Sequence, residues 1–71
     1  MEVYEIRITK RGGHQETYVG MMASDYAAIR RANSLAREDD LVEVIKGPLC
    51  IFSGTSKEAE RYSSLPVRRP G

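Results

Sequence analysis

Strict alternation at the N-terminus constrains this chain more than any other feature. From Glu2 to Lys10, Tyr4, Ile6 and Ile8 fall on one face and Glu5, Arg7 and Thr9 on the other. That is the period-two signature of a half-buried β-strand. Arg11-Gly12-Gly13-His14 follows, and glycines supply the positive φ angles that a tight turn demands. The chain then returns as a second strand, Gln15 to Met22, with Thr17, Val19 and Met21 on one face and Tyr18 and Met22 on the other.

Ser24-Asp25 opens a helix. The Ser24 hydroxyl can accept from the orphan amides of the first turn, and Asp25 complements the positive helix end. Ala28, Ile29, Ala32, Leu35 and Ala36 make one apolar stripe at helical spacing, rich enough in alanine to lie close against a sheet. Arg30, Arg31, Ser34 and Arg37 take the polar side. The helix is expected to end near Arg37 or Glu38, because Glu38-Asp39-Asp40 puts acids at its unfavourable negative end. The acid cluster reads as a solvated turn.

Leu41 to Lys46 is a third strand, with Val42 and Val44 facing one way and Leu41 and Ile45 the other. Gly47-Pro48 breaks it. Leu49 to Ser53 is a short, almost wholly apolar fourth strand, expected to pack on both faces or at a subunit boundary. Thr55-Ser56-Lys57-Glu58 matches a capping box, with one or two helical turns running to Tyr62. The fold class is therefore α+β: ββαββ, a four-stranded, mainly antiparallel sheet with one helix on one face. Residues 1–62 form the domain and residues 63–71 are expected to be an extended or flexible basic tail. One sheet face stays open, and Tyr18, Met22, Leu41 and Ile45 are expected to populate it.

Length and charge narrow the function. At 71 residues the chain holds one small domain, whose core leaves a slim margin over the entropy of folding. The usual reinforcements are disulfides, a metal or a second subunit. Cys50 is the single cysteine and His14 the single histidine, so an intrachain disulfide is excluded and a metal centre is not expected. A homodimer or a complex with another protein remains. Eleven basic residues against ten acidic ones is not the basic excess of a nucleic-acid binder. No apolar run approaches the ~20 residues that cross a bilayer, the start does not read as a signal peptide, and a lone thiol fits a reducing cytoplasm.

No constellation of residues carries recognisable catalysis. His14 has no Ser, Cys or Asp placed beside it as a nucleophile partner and reads as an exposed loop residue. Cys50, between Leu49 and Ile51, reads as a small buried hydrophobe. The glycines form no phosphate loop, so no cofactor is expected. What remains is charge. Arg30, Arg31 and Arg37 line the helix, Glu38, Asp39 and Asp40 follow it, and Arg68 and Arg69 sit in the tail. A positive helix beside a negative turn suits oriented docking to a protein, and these eight residues are the candidate partner-binding set. The alternative use of the same arginines is contact with phosphates in nucleic acid.

The stretch from Ser24 to Gly54 resembles a group of small uncharacterised alphaproteobacterial proteins. The matching residues are Tyr4 to Ile8, Asp25, Ala27 to Ile29, Ala32, Leu35-Ala36, Val42 to Val44 and Gly47. The resemblance spans most of the chain and implies the ββαββ fold, with no activity to carry across. In size and style the chain is also similar to small phage-encoded inhibitors of the anti-CRISPR type. The reading from sequence is thus a non-enzymatic protein-binding module, an inhibitor or small adaptor that occupies a partner's surface.

Overall fold

The computed structural model describes residues 1–37 and 39–64, with side chains through residue 61. Its elements run β1 (Glu2–Thr9), β2 (Gln15–Met22), α1 (Asp25–Leu35), β3 (Leu41–Lys46), β4 (Leu49–Thr55) and α2 (Ser56–Ser64). The four strands form one antiparallel sheet in the order β2-β1-β3-β4. The alternating N-terminal strand is thus central, flanked by β2 and β3. This is the ββαββ sheet and helix expected from the sequence, with a second helix after it.

The helix-covered face follows from the alternation of β1. Tyr4, Ile6 and Ile8 sit opposite Lys46, Val44 and Val42 of β3, and all but Lys46 are buried. Ala28, Ile29 and Ala32 of α1 close this core from above, and Ala59 of α2 joins it from the side. Small alanines let the helix backbone approach the sheet, where larger side chains would hold it away. Met22, Leu35, Ala36, Ile51 and Phe52 pack around the margin.

Local signals set the boundaries. The Ala27 amide donates to the Ser24 hydroxyl at 3.1 Å, the N-cap read from sequence. Thr55 and Glu58 form a reciprocal capping box: the Glu58 amide donates to Thr55 Oγ1 at 3.2 Å and the Thr55 amide to Glu58 Oε1 at 2.8 Å. Gly13 and Gly47 have φ of +92° and +59°, the left-handed region open to glycine at little cost. Gly47-Pro48 makes a two-residue hairpin between Lys46 and Leu49.

Three expectations are corrected here. α1 ends at Leu35, with Ala36 as its extended C-cap, two or three residues before Arg37 or Glu38. α2 reaches Ser64, so the helix takes the first two residues assigned to the tail; residues 65–71 lie outside the described residues. β4 is an edge strand whose residues are all exposed or half-buried, so within this chain it is not packed on both faces. It carries a bulge: Val44 pairs with Phe52 and Ile45 with Cys50, leaving Ile51 as the extra residue. The bulge inverts the parity of the strand's first residues. Phe52 stays with Val44 on the helix side while Cys50 joins Ile45 on the open side.

Candidate functional site: the open face of the sheet

Cross-strand register assigns each side chain to a face, because directly paired residues point the same way. With Tyr4, Ile6 and Ile8 turned to the helices, the opposite face is built of transverse rows. One row runs Val19, Glu5, Ile45, Cys50 from edge to edge; the next runs Thr17, Arg7, Glu43, Ser53. Val3 pairs with Met21 at one end and Thr9 with Leu41 at the other. No described element covers these rows. Val19 is 67% exposed, Met21 61%, and Val3 and Leu41 each 54%. Beside the Gly47-Pro48 turn the face dips into a shallow depression lined by Val3, Glu5, Val19 and Ile45.

This corrects the expected occupants. Leu41 and Ile45 do lie on the open face. Tyr18 and Met22 do not: they pair with Ile6 and Glu2 on the helix side, where Tyr18, Met22, Leu35 and Arg31 line a second groove between β2 and α1. Their places are taken by Val3, Val19 and Met21. Cys50 is also exposed, not buried, because the bulge turned it outward; its thiol donates to the Phe52 carbonyl at 3.3 Å.

Charges on the open face are few and gather around Arg7. Arg7 Nε meets Glu5 Oε2 at 2.5 Å, and Glu43 lies across from Arg7 on β3. These two carboxylates raise the Arg7 guanidinium above its usual range, the hydrogen bond from Arg7 to Glu5 contributing most. The face therefore has a row that is apolar except for Glu5, a row holding both signs, and ends that carry Val3, Met21 and Leu41.

The predicted charge clusters are rearranged. Arg30, Arg31 and Arg37 are exposed but do not converge. The Arg30 guanidinium lies 5.8 Å from the centre of the Tyr26 ring, Arg31 lines the β2/α1 groove, and Arg37 shares a separate shallow depression with Arg11, Asp39 and Asp40. Asp39 faces Arg11 at 3.7 Å, both well exposed, as a solvated turn requires. Asp40 contradicts the solvated reading. It is 4% exposed, accepts from the Arg37 amide at 2.8 Å and pairs with Lys10 Nζ at 2.9 Å. The Arg37 amide and then the Lys10 ammonium hold its carboxyl below the usual range. Asp40 thus ties the end of α1 to the first hairpin. Glu38, Arg68 and Arg69 lie outside the described residues.

A further polar cluster, missed from sequence, holds the N-terminus of α1 to the sheet. The Tyr4 hydroxyl donates to Asp25 Oδ1 at 2.6 Å, and Lys46 Nζ stands 3.2 Å from the same oxygen. The hydrogen bond to Asp25, with burial behind it, pushes the Tyr4 phenol up to about 12. The same bond, followed by that from Lys46, holds Asp25 below the usual carboxylate range. No sequence spacing signals a contact between residues this far apart. It is a structural clamp, since its groups satisfy one another.

His14 sits exposed in the first hairpin loop, 3.8 Å from Glu16. Among the described residues no group of three or more His, Cys, Asp or Glu side chains is placed to hold a metal, and no helix is long and apolar enough to cross a membrane. No known protein family, curated protein or solved structure matches this chain.

Proposed function

We propose that this chain is a non-enzymatic protein-binding module whose working surface is the open face of its sheet. The observation that supports this is the concentration of exposed apolar side chains there: Val3, Val19, Met21 and Leu41 are each more than half exposed, around the part-buried Ile45. Apolar patches on a small domain mark interaction sites. An inhibitor or adaptor that acts by covering a partner fits such a surface. Asp40 has no part in this reading, because its carboxylate faces inward, and the helix arginines become the solvated far side of the module.

The test is capture from bacteria that co-express tagged and untagged forms of the chain, run with and without nuclease. A protein retained stoichiometrically by the wild type and lost by a Val19→Asp, Ile45→Asp variant of unchanged far-UV circular dichroism is the expected outcome. Arg30→Glu with Arg31→Glu should leave that capture intact. Capture that follows the arginines, falls steeply with salt and disappears with nuclease overturns the proposal in favour of nucleic-acid binding.

A further inference from the structure

The pattern on the open face says which partner it fits. In β1 and β3, which straddle the midline of the four-stranded sheet, Arg7 and Glu43 are directly paired. Consider two copies packed face to face about a two-fold axis that runs along that midline. The axis exchanges the two halves of each row. Arg7 then lies over Glu43 of the second copy, and Glu43 over its Arg7. In the neighbouring row Glu5 meets Ile45 and the edge residue Val19 meets Cys50. Val3 falls over the Gly47-Pro48 turn. An isologous contact needs each patch to complement itself: here opposite charges meet twice, apolar edges meet twice and no like charges are directly opposed, while each Glu5 lies over an Ile45 and keeps its bond to Arg7 of its own chain.

Two further observations favour a second copy over a strongly charged partner. The chain carries a net charge of only +1, so long-range repulsion between copies is weak. The charged row holds both signs, whereas a surface built for a basic or an acidic partner would carry one. Four strands at about 4.8 Å spacing and about seven residues long present roughly 400 Å² in projection. The accessible area is larger but stays at the lower end of specific interfaces.

We infer that two copies of this chain dimerise through their open sheet faces, with Arg7 of each paired to Glu43 of the other and Val19 set against Cys50. This rests on the open face being the docking surface and names its occupant. The geometry offers a direct test. Val19 and Cys50 lie on opposite edge strands of one sheet, about 14 Å apart by strand spacing, too far for a disulfide within one chain. Between two packed sheets the separation suits one, as in the inter-sheet disulfide of immunoglobulin domains.

The experiment oxidises the Val19→Cys variant at about 100 µM and reads covalent dimer on non-reducing gels, with peptide mapping. The wild type and the double variant Val19→Cys, Cys50→Ser are the controls. Sedimentation of the unmodified chain from about 10 to about 500 µM runs alongside. The expected result in the single variant is a disulfide that joins position 19 of one chain to Cys50 of the other. Little covalent dimer should form in either control, and Arg7→Glu should weaken the wild-type dimer at least tenfold. Adding Glu43→Arg to that variant should restore it. A wild type that stays monomeric throughout overturns the dimer; loss of another protein's capture on Val19→Asp, Ile45→Asp then still supports the open-face reading. A wild-type dimer untouched by substitutions at Arg7, Val19 and Ile45 overturns both. Links only between like positions overturn the proposed axis.

Discussion

The Tyr4 phenol, the Asp25 carboxylate and the Lys46 ammonium act together at the start of α1, and their titration makes the clamp observable. Tyr4 ionises near 12 in the folded chain against about 10 for a free phenol. A raised folded value means that its contribution to stability is complete below about pH 10 and is lost as pH rises through 12. Absorbance titration of the phenolates should show a last step near 12 that Tyr4→Phe removes. Asp25 and Asp40 shift the other way. Their contributions are complete above about pH 4, the unfolded value, and vanish as pH falls through their depressed folded values. Asp40→Asn, which keeps the shape and removes the charge facing Lys10, should lower the melting temperature at pH 7 and narrow the gap to wild type by pH 2. Equal melting temperatures at pH 7 would contradict the structural role given to Asp40.

The elements differ in how far sequence alone reveals them. β1, the Ser24 cap and the Thr55/Glu58 box depend on residues within a few positions of one another, and each forms as the local pattern dictates. The hidden features are those decided by contacts between distant segments. Both faces of β2 carry apolar residues, so its parity is ambiguous until pairing with β1 places Tyr18 beside Ile6. The extra residue Ile51 in β4 reverses the exposure of Cys50, and a bulge has no signature in an apolar run. Asp40 reads as one of three solvated acids, but Lys10, thirty residues away, draws it in. The open face is therefore legible as a consequence of topology, and only half of its residues are. Two element-level tests follow. Thr55→Ala should cost about 1 kcal/mol and speed hydrogen exchange in α2 before it affects β1. Ile6→Ala, in the buried centre of β1, should cost about 2–5 kcal/mol in chemical denaturation, because the rigid layer of Ala28, Ile29 and Ala32 has little side chain with which to refill the cavity.

As a whole molecule the chain is a two-layer structure with one finished side. The helices bury the alternate residues of β1 and β3, while the reverse of the same sheet holds apolar rows with no described element above them. On the proposal made above, the core of this small domain is extended by another chain laid on that reverse side. A second copy brings rows whose order already matches. In that arrangement the exposed Arg30 and Arg31 of α1 and Asp39 of the turn lie on the outside of the pair, where exposed charge favours solubility.

A dilution series of amide NMR spectra, from about 500 to about 10 µM, tests this most directly, because every residue reports separately. Concentration-dependent shifts confined to Val3, Glu5, Arg7, Val19, Glu43, Ile45 and Cys50, with the amides of α1 unmoved, are the result the dimer requires. Shifts that map to Arg30, Arg31 and Arg37, or spectra that do not change with concentration, would contradict it.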